Sequence, residues 1–120
     1  ETQAAFSETQ ELLSLAKRPT CILYPDDFAS FGGINAIKEQ GLRIPEDISI
    51  AGYDGIRIGR HLEPQLATLR QNTRQIGADA AKGLIDLIEK PKTKVIQQIT
   101  VAGEVFEGKT VGFLETDFKE

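Results

Sequence analysis

The chain has 120 residues, 40% of them hydrophobic and 27% charged, with a formal net charge of −4, which is enough for one domain with a modest core. The acidic balance argues against nucleic-acid binding by this chain, since that would call for a basic face. No apolar run approaches the roughly 20 residues needed to span a bilayer, and residues 1–10 lack a basic segment followed by an apolar one, so no signal peptide is expected there.

Residues 2–16 read as a helix, with Ala5, Thr9, Leu12, Leu13 and Ala16 on one face and Thr2 as its cap. Ser7 with Gln10 also matches a capping box, which allows a later start. Arg18-Pro19 ends the helix. A helix that leads into a parallel sheet usually follows an earlier strand, so the chain is expected to be a piece of something longer.

Thr20 to Tyr24 is an apolar run of strand length, and Pro25 keeps Tyr24 extended. Cys21, the single cysteine, excludes an internal disulfide and is expected in this strand as a buried, inert, reduced thiol. Phe28, Phe31, Ile34 and Ile37 follow at helical spacing, and Gly41 stops that helix. Asp27 is expected to cap it, which leaves Asp26 at the rim. Gly32 and Gly33 each cost roughly 1 kcal/mol against alanine inside a helix. They require a reason such as close packing against a strand or a neighbouring helix.

Ile48 to Tyr53 is a second apolar run. Two strands joined by a helix of this length form a right-handed parallel unit. Gly55 to Pro64 is an irregular loop, and Ala67 to Arg70 a third short strand. Asn72 or Thr73 caps a long helix to about Glu89, with Ile76, Ala80, Leu84, Leu87 and Ile88 on one stripe. Pro91 ends it. Val95 to Val101 alternates like a strand, Glu104 to Glu107 suggests another, and residues 111–120 read as a tail behind a domain of residues 1–110. The fold class is α/β, a three-layer α/β/α arrangement around a mainly parallel sheet.

Ligands bind outside the carboxyl ends of the strands in such sheets, and Asp26, Asp27 and Asp54 follow two of those ends. Asp54 is suited to accept hydrogen bonds from the vicinal hydroxyls of a sugar or the ring N–H groups of a base. Asp54-Gly55 is equally a good turn pair, in which the carboxylate bonds its own backbone. Asp26, Asp27 and Asp54 together would be a possible Mg²⁺ set. His61, the only histidine, lies in a polar loop with no Ser or Cys nucleophile near it and reads as a solvated surface group. Gly52-Tyr53-Asp54-Gly55 lacks the glycine spacing and lysine of a phosphate loop. Neither metal-ligand cysteine or histidine spacing nor a Gly-x-Ser-x-Gly elbow is present. No enzyme activity, metal or cofactor is expected.

The combination of Pro19-Thr20-Cys21, Asp26-Asp27, Ser30-Phe31-Gly32-Gly33, Gly41 to Asp47, Gly52 to Asp54, Pro64 to Thr68 and Gly77 resembles the LacI/GalR family of bacterial transcription repressors. The resemblance covers about residues 5–107. It implies a type I periplasmic-binding-protein-like fold, of which this chain is the C-terminal part of the effector-binding domain. The helix at residues 73–90 would belong to the other subdomain, and the DNA-binding region would lie outside the chain. Residue by residue, it implies effector contacts at Asp26, Asp54 and Thr73, with Gln71 preceding Thr73 on the crossover, and a dimer interface at Phe31 and Leu62; Phe28 joins that interface because Phe28 and Phe31 are more aromatic surface than one side of a small sheet requires. A cytoplasmic homodimer that binds a sugar or sugar phosphate is the implied partner set, with operator DNA reached only through the missing domain and no membrane association.

Four departures from the family pattern stand out. Asp26 replaces the usual asparagine, and an acceptor-only carboxylate favours hydroxyl-rich ligands over anions. Ala67 replaces a threonine, Thr73 stands where an aromatic contact is common, and Glu107 replaces an arginine. Two rivals share elements of the fold. A sugar-binding transport receptor often has the Gly-Phe-Asp-Gly turn that Tyr53-Asp54-Gly55 approaches. A receiver-type phosphoacceptor also pairs acids after one strand with an aspartate after another, but it needs a strand-end lysine where Arg70 follows the third strand.

Overall fold

The computed structural model describes residues 1–93 and 95–114. These form two compact units, one of residues 1–70 with the segment from Val105 onward, the other of residues 71–104.

The first unit begins with α1 (Thr2–Leu13). Its N-cap is Glu1 without a side-chain hydrogen bond, so neither expected cap is used; the Thr2 hydroxyl instead donates to the Phe28 carbonyl at 3.4 Å. The helix ends three residues earlier than its apolar pattern suggests, at Leu13, where the Ser14 hydroxyl bonds the Glu11 carbonyl at 2.7 Å. Strand β1 (Cys21–Leu23) leads to α2 (Asp27–Glu39), then β2 (Ser49–Asp54), a 3-10 turn at Arg57–His61, and β3 (Ala67–Arg70). The α2 terminus is closed by Gly41 at φ 73, with Gly41 N–H donating to the Lys38 carbonyl and Leu42 N–H to the Ile37 carbonyl. This is a Schellman ending, which the left-handed glycine permits.

The sheet order is β1-β2-β3-β4, the last strand being Glu104–Phe106, and both β1–β2 and β2–β3 pair in parallel. Register fixes which residues share a face. Ile22 lies beside Ile50, and Gly52 beside Thr68. On this side Ala5 of α1 and Ala29, Ile34 and Ile37 of α2 join Ile22, Ile50 and Leu66 in one buried cluster. The unit thus holds two layers, a helix pair on a parallel α/β sheet. Cys21 and Leu23 point the other way, and Leu23 is 74% exposed. Cys21 is exposed as well, contrary to the expectation of burial, because β1 is covered on one face only.

The two glycines of α2 have their reason inside the chain. A Cβ on Gly32 would overlap the Thr2 carbonyl of α1, and one on Gly33 would overlap the Tyr24 ring. No second copy of the chain is needed to account for them.

Thr110 is fully buried and bridges the starts of β2 and β3. Its hydroxyl donates to the Ile50 carbonyl at 2.7 Å and accepts from Ala67 N–H at 2.9 Å, while its own carbonyl accepts from Ile50 N–H at 2.9 Å. Gly112 N–H then donates to Ser49 Oγ at 3.0 Å, so this part of the expected tail runs beside β2. Residues 115–120 of that tail lie outside the described residues.

The second unit contains α3 (Thr73–Glu89), capped as expected by Asn72, whose side chain accepts from Gln75 N–H at 3.1 Å. No residue of α3 is buried. The strand expected over residues 95–101 does not form; a 3-10 turn at Pro91–Thr93 precedes irregular chain in which Ile96 is 92% exposed. Alternation marks a strand only when a partner ladder is within reach, and none lies beside this segment among the described residues. No helix of the described residues is long and apolar enough to cross a membrane.

Candidate functional site at the carboxyl ends of β1 and β2

Asp54 is the last residue of β2, and Asp26 lies three residues beyond the end of the neighbouring parallel strand β1. Both are half-buried. The division of labour between the two adjacent acids is the reverse of that expected. Asp26 is the cap: it is extended at φ −154, and its carboxylate accepts from Ala29 N–H at 2.7 Å. Asp27 is buried, with 0% exposure. Its Oδ1 accepts from the Thr68 hydroxyl at 2.7 Å and its Oδ2 from Ile56 N–H at 2.8 Å. The Thr68 hydroxyl oxygen accepts in turn from Gly55 N–H at 3.2 Å. Capping takes only part of the Asp26 carboxylate's acceptor capacity, since an ionised carboxylate offers about four lone-pair directions.

Asp54 has φ 110, the one non-glycine residue with positive φ among those described. Such an angle costs of order 1–3 kcal/mol and persists only where surrounding structure enforces it, a pattern concentrated at functional sites. Gly55 follows at φ 73. Both residues thus have left-handed backbone, and the Asp54 carboxylate stands at the carboxyl end of β2.

Gln71 and Thr73, the other two expected effector contacts, belong to the second unit. Gln71 is half-buried, and Thr73 is the exposed first residue of α3. Of the expected interface residues, Phe28 is 52% exposed, whereas Phe31 and Leu62 are half-buried against the core. Phe28 and Phe31 meet edge to face with centroids 5.9 Å apart. His61 is exposed on its 3-10 turn. Among the described residues no group of three or more histidine, cysteine or acidic side chains is placed to hold a metal ion, so Asp26, Asp27 and Asp54 do not assemble as a Mg²⁺ set.

Sequence reasoning missed Thr68, which lies 41 residues from the carboxylate it bonds. Its signal was the register: a threonine on β3 faces a glycine on β2, and that glycine leaves room for Asp27.

The first unit is an α/β arrangement with paired parallel strands, α1 and the crossover helix α2 on one face, and polar groups at the carboxyl ends of the strands. Residues 1–111 match the model of the periplasmic binding protein-like domain, and the chain belongs to that family. Its curated relatives include the HTH-type transcriptional repressor PurR of Edwardsiella ictaluri, 36% identical over 111 residues, which are 92% of this chain and 32% of that protein. The ribose operon repressor of Haemophilus influenzae is 38% identical over 99 residues, or 79% of this chain and 30% of that protein. The chain thus spans about a third of the length of these relatives. Among solved structures, a LacI family regulator from Enterococcus faecium with bound ribose superposes with a TM-score of 0.85 at 30% identity, covering 96% of this chain and 42% of that one. The lac repressor dimer bound to operator and an anti-inducer superposes with a TM-score of 0.81 at 29% identity, covering 92% of this chain and 38% of that one. The resemblance to LacI-type regulators therefore holds, and the chain corresponds to part of their effector-binding domain.

Proposed function

We propose that this chain supplies one wall of the effector pocket and a dimer contact in a LacI-type transcriptional regulator. The observation that carries the reading is Asp54, a carboxylate at a parallel strand end with a positive φ, on the strand next to the one that Asp26 follows. Carboxylates at these strand ends accept hydrogen bonds from hydroxyls, so the effector is a sugar, with a sugar phosphate the less favoured form; the ribose bound by the Enterococcus faecium relative supports that class. Gln71 and Thr73 contribute further contacts. Helix α3 and its apolar stripe belong to a second subdomain completed by chain outside these 120 residues, and residues 111–120 form the tail.

Phe28, assisted by Phe31 and Leu62, forms the contact of a homodimer. Effector binding biases the relative position of two subdomains, and through it the spacing of DNA-binding heads carried elsewhere. The protein is cytoplasmic and is not an enzyme. The transport-receptor alternative shares the fold, but the relatives named as repressors favour the regulator.

The test is calorimetric titration of ribose, other free sugars and their phosphates into the full-length gene product. Saturable binding of one of them, weakened about tenfold or more by Asp54→Ala, is expected, since hydrogen bonds to a charged group are worth roughly 1.5–3 kcal/mol. Absence of binding by any of them, or binding indifferent to Asp54→Ala, contradicts the reading.

A further inference from the structure

We propose that Asp27 and Thr68 are positioning residues for Asp54. The buried carboxylate, acting through the Thr68 hydroxyl and the Ile56 amide, holds the turn after β2 in the form that keeps Asp54 at its left-handed angle. The functional meaning of this clamp rests on the reading of Asp54 as an effector contact.

The two amides that follow Asp54 are both held. Ile56 N–H donates to Asp27 Oδ2 at 2.8 Å, and Gly55 N–H donates to the Thr68 hydroxyl at 3.2 Å, itself anchored on Asp27 Oδ1 at 2.7 Å. Asp54 is also the last residue of the β2–β3 ladder, beside Arg70. The residue at φ 110 is thus fixed by a ladder on one side and a carboxylate clamp on the other. A buried carboxylate is costly unless its hydrogen bonds are made. A helix that needs only an acidic first turn would be served as well by an exposed one.

The surrounding chain makes room for the buried carboxylate. A Cβ on Gly52 would overlap Asp27 Oδ1 and crowd Ser30 Oγ. Asp27 is also the residue after Asp26, the cap of the same helix. The first turn of α2 therefore sets Asp26 directly and Asp54 through the clamp.

Amide hydrogen exchange, read by NMR on this chain without any ligand, tests the clamp. Thr68→Val removes the hydroxyl at nearly constant volume. We expect it to speed exchange at Gly55 and Ile56 about tenfold or more, with less than about a twofold change at Ile37 and Ile50, as for a local opening. The three-bond HN–Hα coupling of Asp54 should move to the value of ordinary extended backbone. Thr68→Ser, which keeps the hydroxyl, should restore the wild-type pattern. Asp27→Asn should act like Thr68→Val; if it does not fold, Thr68→Val carries the test. Unchanged exchange and coupling at residues 54–56 in Thr68→Val overturns the proposal. So does a uniform loss of protection across the core, which would make these groups packing residues only. Failure of sugar binding in the titration above would overturn the effector reading and leave this result standing, so the two failures are distinguishable.

Discussion

The hydroxyls of Thr9 and Tyr24 meet at 2.8 Å inside the core, joining α1 to the end of β1. Tyr24 is buried, and burial pushes its phenol above the usual value near 10, opposed in part by the bond to Thr9. The folded state holds the neutral phenol more tightly than the unfolded chain does, so this stabilisation is complete below about pH 10 and is lost as pH rises through the folded value. Urea unfolding should show stability falling above about pH 10 in wild type and less steeply in Tyr24→Phe. At neutral pH, Tyr24→Phe should cost about 1–2 kcal/mol by leaving Thr9 short of a partner.

Three glycines in helices should respond in opposite directions to alanine. At Gly32 and Gly33 the new methyl collides with the Thr2 carbonyl and the Tyr24 ring, and overpacking of this kind costs about 1–3 kcal/mol. At Gly77 in α3 no atom lies within 4 Å, so alanine there should stabilise the helix by up to about 1 kcal/mol. Thermal unfolding followed by circular dichroism separates the two cases; a stabilising Gly33→Ala would contradict the packing described.

The Arg43 guanidinium donates to Asp47 at 3.0 and 3.1 Å, and the Arg43 N–H donates at 2.7 Å. The side-chain bonds come first among the causes that hold the Asp47 carboxyl below the ordinary carboxylate range. What Asp47 contributes to stability is present above its unfolded value near 3.9 and is lost as pH falls through the folded one. An NMR pH titration should show Asp47 titrating low, and Arg43→Ala should move it back toward the ordinary value.

Much of this fold was legible because its signals are local. Gly41 ended α2, Asn72 capped α3, and the apolar runs at Ile48–Tyr53 and Ala67–Arg70 became β2 and β3 within a residue. The exchange of roles between Asp26 and Asp27 was not legible. Either acid can cap, and the choice turns on a hydroxyl and an amide that only the fold brings near. The apolar strand suggests a buried Cys21, but side chains alternate between faces and the sequence does not say which face is covered. Residues 95–101 alternate without a ladder to join, so pattern alone named a strand there. Thr110 lies in a segment with no periodicity, and its role emerges only from the two strand starts that it bridges.

The homodimer contact on α2 is tested by the molar mass of the chain from size-exclusion chromatography with light scattering, for wild type and Phe28→Glu. Phe28 is the better probe because it is exposed, whereas Phe31 also supports the core. Twice the 13.2 kDa chain mass is expected for wild type at about 50 µM, and the single mass for Phe28→Glu. A wild-type monomer at that concentration, or a dimer indifferent to Phe28→Glu, would contradict a dimer contact on α2.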